Sequence, residues 1–190
     1  TANVGADPYA SVDIAAGSFN TFTSTASAGT GLTKHGIYFD AAYSRNYTDG
    51  YIDNAFAKVQ SAYAALGWMN ARNSVRLTYL MGDQHTGITW NGISCRDIED
   101  YGRTFNWAGL YWDADGNMHR YENDTDNYTQ HHLQLNYTRQ FAHDVIWSTT
   151  FNWTKGDGWY DEYKTDKKFS NFKLPLINNG AKKVKKAHKP

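Results

Sequence analysis

The sequence predicts an all-β fold: a portion of an antiparallel, up-and-down transmembrane β-barrel with about seven meandering strands. Three observations lead there. Long segments alternate apolar and hydrogen-bonding side chains with a period of two, the signature of strands with one greasy and one polar face. Mean hydropathy is −0.70 although aromatic residues reach 16% of the chain. A barrel accounts for both, because half of each strand faces water while aromatic rings gather at the two membrane interfaces. Finally, connections alternate between short turns and long loops, as in outer-membrane barrels with short periplasmic turns and long external loops.

Taken in order, strand 9–17 places Val12 and Ile14 on the apolar side and Asp13 opposite. Strand 19–31 offers Phe22 and Ala26 against Thr23, and strand 36–47 offers Ile37, Phe39 and Tyr43 against Asp40. Strand 56–69 is assigned Val59 and Tyr63 on the lipid side, with Lys58 and Gln60 lining the lumen. Strand 74–82 carries Val75, Leu77, Tyr79 and Met81 against Arg76. Strand 128–141 sets His131, Leu133, Leu135 and Tyr137 against His132, Gln134 and Asn136. Strand 145–155 sets Val145, Trp147, Phe151 and Trp153 against Ser148, Thr150, Asn152 and Thr154. Most of these reach the ~9–11 residues that a tilted strand needs to cross a bilayer.

Short connections fall at 32–35, 70–73 and 142–144, rich in turn formers. Longer ones fall at 46–54, at 83–126 and after Gly156, with the short turn 17–20 the exception at that end. The stretch 83–126 has no clear period and reads as one long extracellular loop, and loops of that length are usually functional. It holds nine acids and three arginines, interspersed with aromatic residues suited to a cationic or ring-bearing solute. The candidate substrate-binding residues are therefore Trp90, Tyr101, Trp107, Tyr111 and Trp112, joined by His132 on the lumen face. For any single ring, folding the loop onto itself is the competing role.

Other chemistry is thin. No apolar run of about 18 residues exists, so a transmembrane helix is excluded. Setting aside the lysines at 182, 183, 185, 186 and 189 leaves 14 basic residues against 19 acidic ones, no footprint for nucleic acid. The lone Cys95 cannot form an internal disulfide. Asp113, Asp115 and Asn117 have the spacing of a starting calcium loop, but position 124 is Asp and not the bidentate Glu, so a turn is preferred. His131 and His132 are adjacent on a strand and point to opposite faces, so they cannot share a metal. The letters of a phosphate loop at 29–34 stand in the wrong order and precede a strand. No catalytic residues, metal or cofactor are expected, and residues 178–190 read as a lysine-rich disordered tail.

Five segments resemble one family: 9–21 (YASVDIAAGSFNT), 40–53 (DAAYSRNYTDGYID), 102–109 (GRTFNWAG), 121–135 (YENDTDNYTQHHLQL) and 149–164 (TTFNWTKGDGWYDEYK). In this order and spacing they resemble TonB-dependent outer-membrane receptors of the Bacteroidetes type, from about Pro8 to about Pro175. The resemblance implies a receptor that captures a scarce solute, such as a ferric siderophore, haem or cobalamin. It implies a plugged 22-stranded barrel in the outer membrane of a Gram-negative bacterium, emptied by the TonB motor acting on the plug. The implied partners are outer-membrane lipid, the plug domain, the remaining barrel strands and the small-molecule substrate. The chain departs from that pattern. It begins at the first barrel strand without plug or motor-binding segment, carries about seven strands, and has Trp107 where the family carries proline.

The expectation is thus a fragment, with residues 1–177 the N-terminal part of a receptor barrel. Two alternatives stand beside it. One is a small self-contained outer-membrane barrel with an adhesive or structural role, which would need an eighth strand from 169–177 despite Pro175. The other is a soluble all-β binding module, which would need a second set of inward apolar residues.

Overall fold

The computed structural model describes residues 5–113, 115–142, 145–163, 168–175, 177–179 and 182–184. The chain forms two compact units. The first comprises Thr1–Tyr51, Ala55–Thr86 and Asp126–Trp159, and the second Ile52–Asn54, Gly87–Thr125 and Tyr160–Pro190.

The elements are β1 (Tyr9–Gly17), β2 (Thr21–Gly29), β3 (Ile37–Thr48), β4 (Ala57–Met69), β5 (Asn73–Gly87), α1 (Cys95–Tyr101), β6 (Leu110–Trp112), β7 (Met118–Arg120), β8 (Thr125–Gln140) and β9 (Ile146–Asp161). A short hairpin of β10 (Ile177–Asn179) and β11 (Lys182–Val184) follows. From Asn178 on it lies inside the stretch expected to be a disordered tail. The remaining tail positions, 180–181 and 185–190, lie outside the described residues.

The first unit is an antiparallel seven-stranded meander in the order β1-β2-β3-β4-β5-β8-β9, the up-and-down all-β sheet expected from the alternation. Two of the connections show their chemistry plainly. Between β4 and β5, the side-chain oxygen of Asn70 accepts from the backbone N–H groups of Arg72 and Asn73 at 2.9 and 2.8 Å, an Asx turn. Ahead of β3, Gly36 has φ of 73° and a Cβ there would fall 2.0 Å from the Met69 carbonyl oxygen, so only glycine fits. No described helix is long and apolar enough to cross a membrane.

Register sorts the side chains onto two faces. Ile37 pairs with Trp68, Phe39 with Leu66 and Tyr43 with Ala62, while Trp68 pairs with Val75, Leu66 with Leu77 and Ala62 with Met81. One face therefore carries a contiguous apolar band across β3, β4 and β5. The ring of His131 stacks on Tyr79 at 6.1 Å and that of Trp147 meets Tyr137 at 5.8 Å, which brings the odd residues of β8 and β9 onto the same side. The opposite face is a lattice of hydroxyls and amides. Ser11 bonds Ser27 at 2.8 Å, Thr25 bonds Ser44 at 2.9 Å and Gln134 donates to Asn152 at 2.7 Å.

Two expectations are corrected by this register. Val59 and Tyr63 pair with Asn46 and Ala42 and belong to the polar-lined face, not the apolar band. Lys58 and Gln60, expected to line the lumen, share the face of the apolar band, where the Tyr43 hydroxyl donates to Gln60 at 2.9 Å. The cause is local. Residues 62–66 read Ala-Tyr-Ala-Ala-Leu, an unbroken apolar run with no phase to follow, and a slip of one residue exchanges the faces.

The strands also outrun their expected ends. Strand β5 continues from 82 to Gly87 and β9 from 155 to Asp161. The added residues of β5 are polar and pair across strands: Asp83 accepts from Gln60 at 3.0 Å and from Thr129 at 2.5 Å, and His85 bonds Asn127 at 2.5 Å.

Little of the first unit is buried. Tyr38, Ala65 and Thr78 are enclosed, with the Tyr38 ring lying over Gly67. By contrast Leu66 is 53% exposed, Leu77 40% and Phe151 62%, so the apolar band has no protein layer over it among the described residues.

Candidate functional site in the aromatic loop unit

The stretch expected to be one structureless loop is instead built around a small polar core. Ile88, Phe105, Asn106, Ala108, Asp124 and Thr125 are buried. The amide nitrogen of Asn106 donates to the carbonyls of Asp53 and Ile88, both at 2.8 Å, and its oxygen accepts from the Ala108 N–H at 3.0 Å. One side chain thus joins three backbone stretches that would otherwise carry unsatisfied groups. The Arg120 guanidinium donates to the carbonyls of Ala108 and Asn106 and lies 3.8 Å from the Asp53 carboxylate. Burial pulls its pKa down, opposed by the charges of Asp53 and Asp124.

Helix α1 starts at a capping box. Ser94 caps the Asp97 N–H at 3.2 Å, and the Asp97 carboxylate accepts from the Ser94 N–H at 2.6 Å. The Ser94 N–H, then its hydroxyl, and more weakly the Trp107 side chain hold the Asp97 carboxyl below its ordinary range. Beyond the helix, β6 and β7 form a hairpin closed by Asp113. Its carboxylate accepts from the N–H groups of Asp115 and Asn117, from the Asn117 amide at 3.1 Å and from His119 Nε2 at 2.8 Å. His119 first, then Asn117, hold the Asp113 carboxyl well below the usual carboxylate range. Asp113 thus organises the turn between β6 and β7. Among the described residues no three His, Cys, Asp or Glu side chains come together to hold a metal.

The rings fall into three groups. Tyr101 stacks on Phe105 at 4.4 Å, Phe105 meets Trp107 edge-on at 4.7 Å, and Trp107 reaches Trp112 at 6.3 Å. Tyr111, the strand neighbour of Trp112, lies on the other side of the hairpin. It stacks on His119 at 5.5 Å and meets Tyr163 at a tilt, 4.8 Å between centroids, with Tyr121 beyond. Trp90 packs edge-on against Tyr160 at 5.8 Å. Of the six candidate residues, Tyr101, Trp107 and Trp112 come together, Tyr111 and Trp90 stand in separate groups, and His132 belongs to the sheet unit, bonded to Thr154 at 2.8 Å. The sequence does not single out His119, Tyr160 or Tyr163 as members of these groups. The two tyrosines stand in the aromatic GDGWYDEYK stretch, but nothing local says which rings they will meet.

Chemically, Tyr101 and Trp112 remain exposed at the ends of the first group, with Asp97, Glu99 and Asp100 nearby in sequence on α1. Such a surface suits a flat ring or a cation, through stacking and the ring quadrupole. Comparison with protein-family models, curated proteins and solved structures finds no match to this chain.

Proposed function

We propose that this chain forms part of the wall of an outer-membrane β-barrel of the TonB-dependent receptor class, serving uptake of a scarce solute such as a ferric siderophore, haem or cobalamin. The observation that carries this reading is the uncovered apolar band on one face of a long-stranded meander whose other face is hydroxyl- and amide-lined. In water such a band would have to be covered by a second layer. In a bilayer it meets acyl chains while the polar face turns to the lumen and its plug. Among the described residues β1 and β9 each have a neighbour on one side only. Lipid does not tolerate unpaired strand edges, so these edges pair with further barrel strands, or with the edges of other copies when the chain is refolded by itself. The solute contacts are assigned to Tyr101, Trp107 and Trp112, and force from the TonB motor reaches this wall only through the plug. No catalytic step belongs to this reading.

The membrane half is tested with single-tryptophan variants refolded into phosphatidylcholine vesicles whose acyl chains carry bromine. A chain retaining only Trp68 is expected to be quenched, and one retaining only Trp107 is not. A monodisperse monomer in detergent-free buffer with Trp68 unquenched would sink the reading. The receptor half is tested by accumulation of labelled ferric siderophore, haem and cobalamin in cells with and without this chain. Unchanged accumulation of all three would remove the uptake role while leaving the barrel.

A further inference from the structure

We infer that Arg45 and Lys58 bind the phosphate groups of the lipids whose acyl chains cover the apolar band, an inference that rests on the membrane reading above. Three neighbouring strands change character at one register row. On the band face β3 runs Ile37, Phe39, Ala41, Tyr43 and then Arg45, while β4 runs Trp68, Leu66, Ala64, Ala62 and then Gln60. Strand β5 runs Val75, Leu77, Tyr79, Met81 and then Asp83. Arg45 pairs with Gln60 and Gln60 with Asp83, so the switch is simultaneous. The four apolar rows cover roughly 20 Å along the strands, about 15 Å of the membrane normal at a tilt of about 40°, and the long side chains that flank them extend this toward the ~25 Å apolar band of a barrel. The next step along each strand therefore stands at headgroup level, on the side of the connection between β3 and β4.

At that level lies a recess of about 220 Å³ lined by Arg45, Lys58, Val59, Gln60, Asp83 and His85. Its one carboxylate is already engaged: Asp83 accepts from Gln60 and from Thr129. Among the described residues Arg45 and Lys58 make no ion pair, and both are exposed. Lys58 Nζ rests 5.6 Å from the centre of the Phe56 ring. The guanidinium fork and the ammonium point charge are suited to phosphate oxygens, and continuity with the acyl-chain band selects a lipid over a free anion.

The test uses the full chain refolded into phosphatidylcholine vesicles containing a minor fraction of phosphatidic acid, followed by detergent extraction and native mass spectrometry of retained lipid. The wild-type chain is expected to retain phosphatidic acid in excess of its share. R45Q/K58Q is expected to lose that enrichment by roughly ten-fold or more, at about five-fold per cation, while still inserting into pure phosphatidylcholine. Neutralising the tail lysines (K182Q/K183Q/K185Q/K186Q/K189Q) is expected to leave the enrichment in place. Equal retention by wild type and R45Q/K58Q would overturn the site, as would loss of the enrichment in excess inorganic phosphate. Failure of the wild type to insert into phosphatidylcholine would instead overturn the membrane reading.

Discussion

Asn106 and Asp113 each organise several backbone groups with one side chain, and each can be removed on its own. Asn106→Ala leaves the carbonyls of Asp53 and Ile88 and the N–H of Ala108 without their partner inside a buried site. The expected cost to the loop unit is about 2–4 kcal/mol, read as lost hydrogen-exchange protection at Ala108. Asp113 governs pH dependence. Its folded-state pKa is depressed by His119 and Asn117, so its contribution is present above the unfolded carboxylate value of about 4 and is lost as pH falls from there toward the lower folded value. A carboxyl-carbon NMR titration is expected to show Asp113 still ionised where ordinary aspartates are protonated. His119→Ala should bring that titration back toward normal. The aromatic content of the loop was legible in the sequence. The role of Asn106 was not, because its partner Asp53 lies 53 positions away and nothing local announces the contact.

At the scale of the strand, alternation located all seven members of the sheet but did not decide β4. A stretch such as 62–66, apolar at every position, leaves the choice of face to the neighbours, and the pairing of Ile37 with Trp68 sets it. Glycines test the result. A Cβ at Gly67 would come 2.1 Å from Cζ of the buried Tyr38 ring, whereas one at Gly82 meets nothing within 4 Å. Gly67→Ala is expected to destabilise the sheet by about 2 kcal/mol through displacement of that ring. Gly82→Ala should be near neutral, and urea unfolding of the two variants in detergent compares them directly. The polar strand ends escape the sequence for the opposite reason, since they carry no apolar period at all. Asp83 and His85 are held by cross-strand bonds, and a sequence shows hydrophobic periodicity more plainly than it shows hydrogen bonds.

For the molecule as a whole, the two faces of the sheet should respond differently to charge. Under the membrane reading, Leu77→Arg places a cation in the apolar band and is expected to cost about 2–4 kcal/mol in a bilayer. Asn152→Arg on the hydroxyl- and amide-lined face is expected to be tolerated, with refolding yield and urea midpoint in phosphatidylcholine vesicles as the measure. Equal penalties at both sites would mean that both faces meet the same medium. The sequence alone determined the seven strands of the sheet, their antiparallel meander and the presence of one greasy face, because alternation is written in adjacent residues and needs no partner. Only the tertiary structure decided that Lys58 and Gln60 share the greasy face, that three strands turn polar at one row, and which loop rings meet. Those outcomes depend on strand register and on contacts between residues far apart in the chain, and neighbouring residues carry no information about either.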